Sequence, residues 1–130
     1  MNNKEIGQRG EQSAADFLCG KGFKIIGRNV RVGHLETDII AKNDRNIVFA
    51  EVKTRKEFPN IQHRYGRPSA AVDYAKQRKI ILAAEEYMRR NRSSVEGLIP
   101  RIDVVEVYLS PLTESYKVLK IVHMENAVHK

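Results

Sequence analysis

Two carboxylates in the first half of the chain have a spacing suited to metal-assisted chemistry. Asp38 and Glu51 lie in two runs of strand-forming residues, 36–41 and 47–54, which are separated by a turn-forming segment at 43–46. A hairpin closed by this turn places Asp38 opposite Glu51, and directly opposed residues share a face with Cβ atoms roughly 4.5–5.5 Å apart. Because two carboxylates this close repel each other, the pattern predicts a divalent cation between them.

The same hairpin register places Glu36 opposite Lys53. A lysine at this position relieves the repulsion between the carboxylates and could stabilise negative charge on a phosphate. The alternative is a solvated, charged face of the hairpin, since charged side chains are mostly exposed. The pattern favours a cleft, because Ile47 and Phe49 are apolar on the face that Glu51 and Lys53 continue.

A predicted helix over residues 4–21 carries a third acidic group. Glu11 falls on the same face as small apolar residues such as Ala14, which indicates that it faces the hairpin. The alternative is a glutamate on the flank of the helix that reaches solvent. Gly7 and Gly10 each weaken a helix by about 1 kcal/mol relative to alanine, so they predict a close approach of backbone to a neighbouring element.

Basic residues follow the hairpin and predict contacts to a nucleic-acid backbone. The segment 56–68 is polar, basic and longer than a simple turn, which is typical of a functional or a flexible loop. Three arginines are candidate phosphate contacts: Arg55, Arg64 and Arg67. The polar run 76–79 is expected to point one or more residues along the cleft edge, and Gln77 is predicted to position the bound strand.

Four further elements are predicted from hydrophobic periodicity: strands over 23–31, 101–109 and 116–123, and a helix over 70–92. Ser69 is the predicted N-cap of that helix. Arg101 and Asp103 are separated by two positions of a strand and share a face, so they are predicted to form an ion pair.

Composition limits the classes of protein to which the chain could belong. With 130 residues and 42% hydrophobic content, it can bury one core and is expected to form a single domain over 1–130. No apolar run approaches the roughly 20 residues that span a bilayer, and no signal peptide is visible at the start, so we expect a cytoplasmic protein without a membrane partner. The net charge of +7 and the pI near 9.7 favour a polyanionic partner such as nucleic acid.

The order of these elements resembles the core of the PD-(D/E)XK nuclease superfamily, which includes restriction endonucleases and Holliday-junction resolvases. Asp38 matches its metal-binding aspartate, and Glu51-Val52-Lys53 matches its (D/E)-X-K motif. The resemblance implies an α/β fold with a three-layer α/β/α, restriction endonuclease-like core. It also implies a mixed sheet and the order helix, strand, strand, strand, helix, strand, strand.

A closer resemblance, to the uncharacterised bacterial YraN-type family, covers almost the whole chain. Leu35 stands where that family usually has glycine, and Thr37 replaces the nominal proline of the superfamily, but neither change removes a ligand. The resemblance is carried by segments spread from the first helix to the fourth strand: Gly7-Gln8-Arg9-Gly10-Glu11, Lys21-Gly22-Phe23, Glu36-Thr37-Asp38-Ile39-Ile40-Ala41, Val48-Phe49-Ala50-Glu51-Val52-Lys53-Thr54-Arg55, Lys76-Gln77-Arg78-Lys79 and Arg101-Ile102-Asp103-Val104-Val105.

These resemblances imply a metal-dependent endonuclease that hydrolyses phosphodiester bonds in DNA, with branched or structured DNA as one expected target. Asp38 and Glu51, with the Val52 carbonyl, would bind Mg²⁺ or Mn²⁺, while Lys53 and Glu11 would complete the catalytic set. DNA is expected rather than RNA, and a homodimer is expected if two strands are cut symmetrically, as resolvases do. Two alternatives stay open: a non-catalytic nucleic-acid binding module, and a domain whose basic surface binds an acidic protein.

Overall fold

A five-stranded mixed sheet with a helix on each face forms the core of the described residues. The computed structural model describes residues 1–57, 73–112 and 114–129. Its elements, in chain order, are α1 (Asn3–Gly20), β1 (Lys24–Val32), β2 (Leu35–Lys42), β3 (Asn46–Lys56), α2 (Tyr74–Arg90), β4 (Ile99–Leu109) and β5 (Val118–Val128). This confirms the predicted element order and the restriction endonuclease-like α/β core. Within the described ranges, neither helix is long and apolar enough to cross a membrane.

The sheet has the strand order β1-β2-β3-β4-β5, and β3 and β4 are its parallel pair. Parallel strands need a crossover connection, and here that connection contains α2. The β3–β4 register runs from Asn46↔Ile99 to Lys56↔Leu109. Because β3 lies in the middle of the sheet and is covered on both faces, its first half is apolar on both sides, as a buried strand requires.

Two hydrophobic clusters, one under each helix, determine which way each strand residue points. Leu18 of α1 packs in a cluster with Val48 of β3, whereas Ile80 of α2 packs in a second cluster with Ile47 and Phe49. Successive strand side chains point to opposite faces, so the odd-numbered residues of β3 lie on the α2 face. Glu51, two positions beyond Phe49, therefore lies on the α2 face of the sheet, where its strand leaves the apolar core.

The start of α2 differs from the sequence prediction. The helix begins at Tyr74, later than the predicted start at residue 70, and its N-cap is Asp73, whose side chain accepts a hydrogen bond from the backbone N–H of Lys76 at 2.8 Å. Asp73 has an extended ψ of 169°, so it cannot belong to the helix interior. Ser69, the predicted cap, lies outside the described residues.

The end of the chain also differs from the prediction. The last strand is longer than predicted and continues to Val128, which pairs with Ile102 at the start of β4. A register shift between Ile102 and Val104 interrupts the regular pairing of β4 with β5. The strand begins at Val118 rather than at Tyr116, because Tyr116 has a φ of 51°, which is incompatible with a strand.

Gly10 of α1 approaches β3 closely, as predicted. A Cβ at Gly10 would overlap the side chain of Thr54, whereas a Cβ at Gly7 would meet nothing within 4 Å. We expect Gly10→Ala to lower the free energy of unfolding by about 1–3 kcal/mol through overpacking, although alanine favours the helix itself. Gly7→Ala is the matched control and should raise stability by up to about 1 kcal/mol. Urea unfolding of both variants tests this pair, and equal effects would contradict the close approach.

Candidate metal centre

The β2–β3 hairpin has the register that the sequence predicts. Its ladder runs from Lys42↔Ile47, next to the turn, to Ile39↔Ala50. The Asn43 side chain closes the turn by accepting hydrogen bonds from backbone N–H groups within it. The ladder ends one pair before the position at which the two carboxylates were predicted to oppose each other.

Where the ladder ends, the Asp38 side chain continues the contact between the two strands. Asp38 Oδ2 accepts a hydrogen bond from the backbone N–H of Val52 at 2.8 Å. This bond holds the Asp38 carboxylate beside Glu51. The charge of Asp38 raises the pKa of Glu51. Glu36 does not oppose Lys53 in the ladder, and it instead forms an ion pair with Arg31 of β1 at 3.5 Å.

Both carboxylates lie in an environment that disfavours their charged forms. Glu51 is 6% exposed, and its pKa is raised first by burial and then by the charge of Asp38. The pKa of Asp38 is also raised, again mainly by burial, although the Val52 N–H bond opposes the shift. Because burial raises the pKa of both carboxyls, and the charge of Asp38 raises that of Glu51 further, this pair needs positive charge nearby.

Two lysines supply positive charge to this pair. Lys76, in the first turn of α2, places its Nζ 3.2 Å from Glu51 Oε1, and Lys53 of β3 places its Nζ 4.0 Å from the same oxygen. The side chains of these lysines are 43% and 27% exposed. The sequence indicated that the run 76–79 lies at the cleft edge but did not identify Lys76 as the residue that pairs with Glu51.

These pKa shifts predict how stability depends on pH in the absence of metal. In the folded protein the pKa of each carboxyl is raised above its ordinary value, which is 3.8 for Asp38 and 4.5 for Glu51. The protonated carboxyl therefore adds to the free energy of unfolding at pH values below the ordinary pKa, and this contribution is lost as pH rises through the raised pKa. Asp38→Asn removes one charge of the pair and keeps a side-chain oxygen that can accept the Val52 bond. We expect it to stabilise the metal-free protein by about 1 kcal/mol at pH 7 and to have little effect at pH 3.5.

Thermal unfolding in a metal chelator at several pH values measures this effect. Asp44→Asn removes the same charge from an exposed position in the hairpin turn and serves as the control. A stabilisation that is equal at both positions, or equal at both pH values, would contradict the argument from carboxylate burial.

Glu11, the third predicted acid, is held by a different set of residues. Its Oε1 accepts a hydrogen bond from Asn29 Nδ2 at 2.8 Å and lies 3.6 Å from Arg28 Nε, both in β1. Within residues 1–57, 73–112 and 114–129, no three His, Cys, Asp or Glu side chains are grouped closely enough to hold a metal ion. The catalytic role of Glu11 and the ligand role of the Val52 carbonyl remain predictions.

The predicted nucleic-acid contacts are only partly within the described residues. Arg55 lies two positions beyond Lys53 on the same strand face, and Gln77 follows Lys76 in the first turn of α2, half-buried. The elements therefore bring these two residues to the same end of the α2 face as the carboxylate pair. Arg64 and Arg67 lie outside the described residues, and their roles also remain predictions.

A second polar cluster lies on the opposite face of the sheet and includes the predicted Arg101–Asp103 pair. Two guanidinium nitrogens of Arg101 lie 2.9 Å from the two carboxylate oxygens of Asp103, which confirms that pair. Asp103 is fully buried and also contacts His123 Nε2 at 2.7 Å and the backbone N–H of Asn126 at 2.8 Å. With each carboxylate oxygen bonded in this way, the cluster is suited to joining β4 to β5 rather than to binding a ligand.

The residues of this site lie in the part of the chain that matches a known protein family. A model of the uncharacterised protein family UPF0102 matches residues 10–107, a range that contains Asp38, Glu51, Lys53 and Lys76. UPF0102 proteins of Caldanaerobacter subterraneus and Caldicellulosiruptor saccharolyticus are each 40% identical to this chain over 127 residues, which is 98% of this chain and 97% and 99% of theirs. A UPF0102 protein of Alkaliphilus oremlandii is 42% identical over 125 residues, which is 96% of this chain and 98% of its own length.

Proposed function

Because the chain belongs to the uncharacterised protein family UPF0102, we propose its function from its own site: metal-dependent hydrolysis of phosphodiester bonds in DNA. Branched or structured DNA is the proposed target. The observation that carries the proposal is the Asp38 carboxylate held beside the buried Glu51, where a bound cation would relieve the repulsion between the two charges. The restriction endonuclease-like core supplies the fold in which such a pair can act, although a fold alone does not establish an activity.

The residues of this pair fit a hard divalent cation such as Mg²⁺ or Mn²⁺. Two carboxylates and the Val52 carbonyl offer oxygen ligands, which these ions prefer. Asp38 is held in place by the Val52 N–H bond of 2.8 Å, so one ligand is oriented before any ion binds. A divalent ion bound there would polarise the phosphate and lower the pKa of a bound water.

The lysines and the polar residues around the pair have distinct proposed roles. Lys53, with its Nζ 4.0 Å from Glu51, stabilises the negative charge that develops on the phosphate or orients the attacking water. Lys76 pairs with Glu51 and could turn to a phosphate when a cation binds to that carboxylate. Gln77 and Arg55 position the nucleic-acid strand, and Glu11 is a further acid of the catalytic set.

A non-catalytic nucleic-acid binding module is the second candidate, and one contact favours it. Lys76 Nζ lies 3.2 Å from Glu51 Oε1, so the protein can neutralise its carboxylates without a metal. The net charge of +7 serves a binding module as well as a nuclease. In this second function the carboxylates organise the lysines, and the lysines contact phosphates.

A panel of labelled four-way junctions, duplexes, single strands and RNA, each incubated with Mg²⁺, Mn²⁺ or EDTA, separates these functions. We expect cleavage of DNA that requires the metal, and binding that weakens steeply between about 50 and 200 mM salt, because each phosphate contact releases counterions. Arg64→Gln and Arg67→Gln should each reduce the salt slope by about one. Binding without cleavage across the whole panel would support the binding module, and no binding even at low salt would favour the acidic protein partner.

A further inference from the structure

A buried carboxylate on β4 is not used by the proposed site. Glu106 is 1% exposed, and among the described residues neither of its carboxylate oxygens has a hydrogen-bond partner. Buried carboxylates are normally paired or hydrogen-bonded, because an isolated buried charge is costly. Such a group in the middle of a sheet therefore calls for a partner of opposite charge.

The sheet register places Glu106 beside the proposed site. Glu106 pairs with Lys53 across the parallel β3–β4 ladder and with Val122 of β5 on its other side. Paired residues of neighbouring strands point to the same face, about 4.8 Å apart, so Glu106 shares the α2 face with Lys53. Tyr108, two positions along β4, has a pKa that is raised first by burial, then by the charge of Glu106 and by the approach of that carboxyl to the Tyr108 hydroxyl. Lys53 is thus the in-register neighbour of Glu106 that carries the opposite charge.

Lys53 and Lys76 both approach the same carboxylate oxygen of Glu51. The Nζ of Lys53 lies 4.0 Å from Glu51 Oε1, while Lys76 lies closer to that oxygen, at 3.2 Å. A divalent cation on Glu51 would repel both ammonium groups. The side chain of Lys76 is 43% exposed and can turn to solvent, whereas that of Lys53 is 27% exposed and starts from a central strand.

We propose that Glu106 is a positioning residue that holds the Lys53 ammonium once a divalent cation occupies the Asp38–Glu51 pair. The inference rests on the proposed function, because it concerns the same site. Lys53 and Lys76 both approach Glu51, and Glu106 has no hydrogen-bond partner among the described residues. With metal bound, Lys53 turns to Glu106, which frees Glu51 for the cation and fixes the ammonium on the neighbouring strand. Glu106 therefore forms its ion pair with Lys53 only when a metal ion binds.

A double-mutant cycle on Mn²⁺ binding tests this role without relying on cleavage. Calorimetry would compare the full-length wild type, Glu106→Gln, Lys53→Met and the double variant at one pH and ionic strength. If Glu106 draws Lys53 away from Glu51, Glu106→Gln weakens Mn²⁺ binding in the wild-type background by about fivefold more than in the Lys53→Met background. An effect of the Glu106 charge on the cation itself would be equal in both backgrounds.

Three controls separate positioning from structural damage. Gln is close in shape to Glu, so Glu106→Gln should fold, and a melting temperature no lower than that of the wild type would confirm it. Glu106→Asp keeps the charge and should restore part of the Mn²⁺ affinity. Glu125→Gln removes a charge from an exposed position on β5 and should leave Mn²⁺ affinity unchanged.

The failure of this inference is distinct from the failure of the proposed nuclease function. A wild type that cuts DNA but shows no coupling between Glu106 and Lys53 would overturn the positioning role alone. Coupling in a protein that binds Mn²⁺ and cuts nothing would support the positioning role and overturn the nuclease function. A wild type that does not bind Mn²⁺ would overturn both.

Discussion

Replacing Lys53 by alanine is expected to slow DNA cleavage by about two orders of magnitude or more, the typical loss when one group that stabilises a transition state is removed. Mn²⁺ binding should be retained, because Lys53 is not a ligand in the proposed site. Its Nζ lies 4.0 Å from Glu51 Oε1, so its removal takes positive charge away from the cation site. Single-turnover cleavage and calorimetry on the same protein preparation measure the two effects separately.

A second lysine provides the control for this experiment. Lys24 is exposed and pairs with Lys42, at the end of the hairpin away from Asp38, so Lys24→Ala removes the same charge without touching the site. Lys53→Arg keeps the charge but changes its shape and should restore cleavage only partly. Unchanged cleavage in Lys53→Ala would remove Lys53 from the mechanism, and a joint loss of Mn²⁺ binding and cleavage would assign it a structural role.

The carboxylate pair could be predicted from the sequence because its geometry is local. A short turn sets the register of a hairpin, and alternation along each strand then decides which residues share a face. Asp38 and Glu51 are therefore placed by residues 35–54 alone. The Arg101–Asp103 pair was predictable for the same reason, since two residues separated by two positions of one strand must lie on one face.

The contact between Lys76 and Glu51 could not be predicted from the sequence, because it depends on where α2 begins and how the helix crosses the sheet. The helix starts at Tyr74, with Asp73 as its N-cap, rather than at residue 70 with Ser69 as its cap, and this start determines which residue of the basic run reaches Glu51. Both Ser and Asp are good N-caps, so local propensity does not choose between them. Packing of Ile80 and Ile81 in the cluster under α2 is a tertiary contact, which local propensity does not contain.

The burial of Glu106 without a hydrogen-bond partner among the described residues could not be predicted from its own strand. The surrounding residues of β4 are apolar, and a single glutamate among them is compatible with an exposed position at a sheet edge. Only the strand order shows that β4 lies between β3 and β5 and that Glu106 is buried beside Lys53. The contact of His123 with Asp103 has the same origin, because it depends on the pairing of β5 with β4.

Asp38→Asn is expected to separate nucleic-acid binding from metal binding. The change removes one formal charge and one anionic oxygen from the proposed ligand set, so Mn²⁺ binding should weaken by about 100-fold or more. Cleavage should fall by at least about two orders of magnitude with it. DNA binding in EDTA should be retained or strengthened, because a negative charge next to the phosphates is removed. Calorimetry, cleavage and fluorescence anisotropy at one ionic strength give the three quantities.

The outcome for DNA binding is the most informative of the three, because the folded structure should survive the substitution. Asparagine can still accept the hydrogen bond that Val52 N–H donates to Asp38, and removing the charge relieves the repulsion that raises the pKa of Glu51. Asp44→Asn, exposed in the turn at the other end of the hairpin, should change none of the three quantities. If Asp38→Asn lost DNA binding while keeping Mn²⁺ affinity, the carboxylate would act by organising Lys53 and Lys76 for phosphate contact, and the binding module would replace the nuclease as the function of this site.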